Sequence, residues 1–281
     1  MNTRTRVAAV AAALATAVGG TALLPTQVDA VGRIPIIKTT VTHKAIRLSM
    51  HSVQAGRVRF RVVTPAGDHV LQLVRLHKGY TKAQFGQDMG KAFSGDTAAI
   101  KRVDRRVTWA GGAEAKPNKG GAFATVLTAG TYYLIDQNDQ TGRVVSALTV
   151  TGPLEARAPM RTSSTIVGTG ADRFRAPLAI PHTGWTVFKD TSDEPHFLVF
   201  QRVKPNVTRK TITQYFQSGS QAEPPWILPG STSTGVISGG SRTVFHYNLP
   251  AGHYALLCWW PSDETGMPHA MMGMYRLINL R

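Results

Sequence analysis

Leu249–Cys258 reads "LPAGHYALLC" and Leu127–Asp136 reads "LTAGTYYLID". Each has a turn glycine followed by a run of strand-forming residues, and the register sets Asp136 of the first opposite Cys258 of the second. Working outward, the match extends upstream. "VQAGRVRFRVVTPAGDHVLQLVRLHKGYTKAQF" begins at Val53 and "PHTGWTVFKDTSDEPHFLVFQRVKPNVTRKTI" begins at Pro181. Both carry a turn glycine (Gly56, Gly184), an alternating strand, a polar turn and a histidine opening the next strand (His69, His196). An arginine follows six positions later (Arg75, Arg202), then a threonine (Thr81, Thr208). Self-similarity over this span marks an internal duplication.

The two threonines stand where helix N-caps belong. Phe85, Met89, Ala92 and Phe93 follow the first at helical spacing, and Ile212, Tyr215 and Phe216 follow the second before Gly219 stops the run. Each unit is therefore predicted to insert one short amphipathic helix. The units are placed at 33–152 and 165–281, with 153–164, rich in Pro, Ser and Thr, as a linker. Outside the helices, short Val, Ile, Tyr and Phe runs are punctuated by Gly, Pro, Ser and Asn, which predicts an all-β chain of two sandwich-sized units.

The first thirty residues have a different character. Arg4 and Arg6 precede an apolar run from Val7 to Leu24, and Val28-Asp29-Ala30 offers a cleavage site, the layout of a secretory signal peptide over 1–30. No later segment is long and apolar enough to be a transmembrane helix. The expected location is outside the cell or at the envelope exterior. The full chain has 32 Lys and Arg against 16 Asp and Glu, a net charge of +16. Such a field favours acidic partners or anionic envelope surfaces. Nucleic acid is set aside: no recognition helix, zinc finger or RNA-binding signature is present, and Arg57, Arg59 and Arg61 alternate with apolar residues as on a solvated strand face.

An exported chain with one cysteine has no internal disulfide, so Cys258 needs burial, an intermolecular partner or a ligand. Taken alone it reads as a small buried hydrophobe, and His196 as a structural histidine. Their order with the loop "GMPHAMMGM" changes that. "DEPHFLVF", "LPAGHYALLC" and "GMPHAMMGM" together resemble the cupredoxin family, plastocyanin-like blue copper proteins. The resemblance implies two tandem cupredoxin-like Greek-key β-sandwiches. It implies one copper per chain, held by His196, Cys258, His269 and Met274, and it makes His269, beside Met267, Pro268, Ala270 and Met271, the surface electron port. Two imidazoles, a thiolate and a weak thioether form the donor set of a blue-copper electron-transfer site. The first unit keeps His69 but has Asp136 for cysteine, and is expected to hold no metal.

The eleven-residue step from Cys258 to His269 is longer than the resemblance calls for, and "WWPSDET" fills the difference. Multicopper oxidases and nitrite reductases are also built of linked cupredoxin units. The chain has no His-x-His pair, and Trp259 follows Cys258 where a second copper centre needs histidine, so the expectation is a protein that is not an enzyme. Electron transfer with a redox partner is the leading reading. Cu(I) storage or delivery, with a copper donor or acceptor as partner, remains open, as does a metal-free module on anionic envelope polymers. Chain recovered from the culture medium is expected to begin at Val31; N-terminal sequencing checks this, and an intact Met1 refutes it.

Overall fold

In the computed structural model, residues 32–139, 144–170, 173–220 and 222–281 are described, so the signal-like segment 1–30 lies outside them. The fold grows from the predicted alternation. In β3 (Ser52–Val63), Val53, Ala55, Val58, Phe60 and Val62 are buried, and the arginines between them face outward or lie half-buried. The strands before it are β1 (Ile36–Thr42) and β2 (Ala45–Leu48). After it come β4 (His69–Leu76), α1 (Lys82–Ala92), α2 (Thr97–Arg106), β5 (Val107–Ala115), β6 (Gly121–Leu127), β7 (Gly130–Asp136) and β8 (Val145–Glu155). The sheet runs β6-β3-β8-β7-β4-β5, and a tight turn at Lys116–Lys119 returns β5 to β6.

The second half contributes β9 (Ser164–Thr169), β10 (Arg173–Arg175), β11 (Ala179–Ile180), β12 (Thr183–Asp190), β13 (Val199–Arg202), α3 (Arg209–Gln217), β14 (Thr232–Ser233), β15 (Arg242–Asn248), β16 (Gly252–Leu257), α4 (His269–Met272) and β17 (Tyr275–Leu280). One layer is β10-β9-β12-β15; the facing layer is β11-β17-β16-β13-β14. The layers meet through aromatic rings, with Phe200 of β13 stacked 5.1 Å from Tyr247 and 5.7 Å from Phe245 of β15. The chain is all-β with few, short helices, as the pattern predicts.

The duplication is visible in detail. Arg75 packs on Gly130, where a β-carbon would fall 2.9 Å from its Cζ, and Arg202 packs on Gly252 in the same place in the repeat. α1 and α3 begin at the predicted caps, Thr81 accepting from the Gln84 N–H and Thr208 from the Thr211 N–H. A second helix in the first half, α2, was not anticipated. Asp96 caps it, and Ala99, Ile100 and Val103 form its buried stripe; it lies between the two stretches whose match with the second half pointed to α1 and α3.

The halves are stitched in two places. β15 pairs with β6 from Val244↔Ala124 to His246↔Ala122, making one continuous sheet. Residues 234–238 also lie along β5, with bridges Ala113↔Thr234 and Ala110↔Ile237. The approach is close enough to demand glycine on both sides: a β-carbon on Gly235 would fall 2.5 Å from the Gly112 nitrogen. Between them sits the fully buried amide of Gln72. Its Oε1 accepts from the Val236 N–H at 2.6 Å and from Gln137 at 2.9 Å, and its Nε2 donates to the carbonyls of Leu73, Gly111 and Val236. Buried groups stripped of partners are costly, so Gln72→Leu is expected to destabilise the protein by about 2–4 kcal/mol in denaturant unfolding.

Candidate metal centre

His196 enters the core just after the turn Asp190–Pro195. Its backbone pairs with Ile237 in both directions, at 3.0 and 2.8 Å. Cys258 directly follows β16, and its carbonyl accepts from the Ala270 N–H at 2.7 Å. The loop after Cys258 closes on itself. The His269 N–H donates to the Trp260 carbonyl and the Met274 N–H to the His269 carbonyl, and Gly273, with φ 114°, ends the single turn α4. The long step from Cys258 to His269 is thereby spent on a compact hairpin, with the Ser262 N–H bonded to the Met267 carbonyl.

These elements bring three predicted residues together. Cys258 Sγ lies 3.6 Å from His196 Nδ1 and 3.8 Å from His269 Nδ1, and the two Nδ1 atoms are 3.0 Å apart. All three residues are fully buried. Metal–nitrogen bonds of about 2.05 Å and metal–sulfur bonds of about 2.3 Å place donors about 2.9–3.6 Å (N to N) and about 3.1–3.8 Å (N to S) apart at ordinary bond angles. The observed separations fit that window. Met274 is also fully buried and borders the same space. A β-carbon on Gly168 would fall 3.2 Å from His196 Cδ2 and 3.3 Å from Met274 Cε, so glycine there leaves room for both.

The protonation pattern suits metal binding. His269 Nε2 lies 2.8 Å from Glu194 Oε2 and donates to it, which turns the Nδ1 lone pair toward Cys258. That hydrogen bond also holds the Glu194 carboxyl below its usual range, against the opposing effect of burial. Burial, helped by the neighbouring His269, pushes His196 down to about 3, which keeps its ring neutral. Glu194 is a residue that sequence reading missed; it stands inside the "DEPHFLVF" run, two positions before His196, but the histidine it orients lies 75 positions away.

The surface role expected for His269 is corrected by the same contacts. Its ring has no exposed area, because Glu194 and the hairpin cover the edge that would face solvent; Ala270 is buried as well. Only Met267 and Met271 of the expected patch are open to solvent, at 47% and 43%.

The first half shows what the equivalent place becomes without cysteine. His69 Nδ1 lies 2.6 Å from Asp136 Oδ2, both side chains are buried, and His69 Nε2 meets the Ala66 carbonyl at 3.1 Å. The carboxylate takes up the imidazole that a metal would need. His69 opens β4 and Asp136 ends β7, while His196 stands in an isolated bridge three residues before β13 and Cys258 one residue past β16. The paired places correspond in both halves, though the strands do not begin and end alike. The architecture is cupredoxin-like.

No protein-family model and no curated protein matches the chain. Among solved structures, auracyanin A, a blue copper protein of Chloroflexus aurantiacus, aligns at 19% identity over 43% of this chain and all of its own, with a TM-score of 0.31. The copper nitrite reductase of Nitrosomonas europaea aligns at 11% identity over 89% of this chain and 94% of its own, with a TM-score of 0.25. A multicopper oxidase aligns at 10% identity over 89% and 92%, also with a TM-score of 0.25. Two of these three are enzymes by name, so the expectation that this chain is not an enzyme does not stand. Likeness at this level assigns no activity to the chain, and the chemistry below rests on its own residues.

Carboxylates crowd the approach to the centre. Asp104 of α2 has both oxygens buried without a well-placed donor. Burial first, then the charges of Glu194 and Asp263, push it up to about 7, and the Trp260 N–H facing it offsets only part. In the unfolded chain this group ionises near 3.8. Between those values the unfolded state binds fewer protons, so stability falls as pH rises from about 4 through about 7 and then levels off. Asp104→Asn removes that loss. The variant is expected to be more stable than the parent by about 1–3 kcal/mol at pH 8, with the gap closed by about pH 4, in denaturant unfolding at both pH values.

Proposed function

We propose that the chain is an exported copper protein that takes up and releases single electrons at a centre held by His196, Cys258 and His269, with Met274 as a weak fourth donor. The observation that carries this is the convergence of two imidazole nitrogens and one sulfur, 3.0 to 3.8 Å apart, in a fully buried setting. Bound there, one copper ion supplies a couple between its two common oxidation states, and this donor set is the one suited to blue-type sites.

The chain's own residues do the remainder. Glu194 fixes the tautomer and tilt of His269. The Ile237 ladder fixes the height of His196, and the Ala270 N–H fixes Cys258 just past β16. Met274, Trp260 and Ile237, all buried, line the neighbourhood with apolar surface that excludes water. Donors held by rigid strands and a braced hairpin move little when charge changes, which favours fast electron exchange. Complete burial of all four donors also supports this reading over delivery of Cu(I), because hand-off needs an incoming ligand to reach the metal. Export rests on the N-terminal signal pattern, and the partner is a redox protein.

Titrating the mature chain with Cu(II) is expected to produce an intense band near about 600 nm that saturates at one copper per chain. Cys258→Ser is expected to abolish it. A colourless chain, or a band indifferent to the serine, refutes the reading.

A further inference from the structure

With the histidine edge closed, the route by which charge reaches the centre has to lie elsewhere. Electron tunnelling falls steeply with distance and is better through covalent bonds than across gaps, so the outlet is sought one bond-path from a donor and at the surface. None of His196, Cys258, His269 and Met274 has exposed area. Their neighbours differ sharply. Tyr275, after Met274, is buried against Phe216. Trp260 turns inward, 1% exposed, with its ring 5.0 Å from Trp109 of β5. Trp259 turns outward. It is joined to Cys258 by one peptide bond, is 38% exposed, and rests its edge on Phe216 of α3 at 5.8 Å.

We propose that Trp259 is the electron port of the centre: the indole is the surface a redox partner touches, and Cys258 is the donor through which the electron passes. This rests on the copper reading above. The step is balanced by one electron alone. The partner loses it, Cu(II) becomes Cu(I), no bond is made or broken, and no proton moves. Trp259 also gives the "CWW" run of the ligand loop its logic, one ring facing the partner and the next sealing the core.

The port is tested in the full chain with Trp259→Leu, which removes the ring but keeps an apolar side chain, and Trp259→Phe, which keeps a ring. Reduction by hexacyanoferrate(II), which becomes hexacyanoferrate(III), is followed by the loss of the copper band. Trp259→Leu is expected to slow it by about tenfold or more and Trp259→Phe by less than about threefold, with band position and copper stoichiometry unchanged. A leucine variant that keeps its band and reacts within about twofold of the parent overturns the port, and points to the path through Glu194 instead. Failure of the parent chain to form the band is seen before any rate is measured and overturns the copper reading itself. A second readout needs no copper. Chromium(III) hexacyanide, a redox-inert paramagnetic anion, is expected to broaden the indole N–H resonance of Trp259 well beyond those of Trp109 and Trp260 in the metal-free chain. Equal broadening of all three overturns the port even where the leucine variant fails to fold.

Discussion

The two backbone hydrogen bonds between His196 and Ile237 are the constraint from which the site follows. Ile237 is not free to choose its position. Its neighbour Val236 is gripped by the Gln72 amide and accepts from the Gly111 N–H, and Ser238 is tied to Trp109 in both directions, through its backbone N–H and its hydroxyl. The histidine of the proposed centre is thus set by a strand that the first half holds. The first half, whose own histidine is taken up by Asp136, acts as the jig for the candidate site in the second. This gives the first half a physical role that has nothing to do with binding metal.

The two halves differ first at the residue that closes the aligned strands, Asp136 in one and Cys258 in the other. With aspartate at the end of β7, the buried imidazole opposite finds a carboxyl partner and both groups are hydrogen-bonded. With cysteine just past β16, the imidazole meets a soft sulfur and a second ring. There the oxygen partner is moved outward by one shell, to Glu194 behind His269. A carboxylate serves both halves, as a substitute for the ligand in one and as its orienter in the other.

Much of this was legible in the chain because the signals are local and repeated. The Thr81 and Thr208 caps, the alternation of β3, and the aligned strands ending at Asp136 and Cys258 each lie within a few residues of one another. The four candidate donors came from the resemblance to the cupredoxin family that their order along the chain carries. What could not be read is set by contacts between distant residues: Gln72 with Val236, 164 positions apart, and His269 with Glu194, 75 apart. α2 was missed because it lies outside the matched stretches that pointed to α1 and α3, although its stripe of Ala99, Ile100 and Val103 is well separated from its charges. The burial of His269 was missed because a family habit was carried over to a hairpin that this chain folds differently.

The joining of β15 to β6 has a further consequence, for behaviour at high concentration. Strand edges are where one sheet can recruit another, and the pairing consumes the edges that two separate sandwiches would have left bare. Of the strands at the borders, β2, β10, β11 and β14 are two to four residues long and β10 reads Arg-Phe-Arg, while the nine-residue β5 has residues 234–238 laid along it. Short, charged borders give an incoming chain little ladder to extend. A protein rich in apolar strands is in this way made a poor template for aggregation.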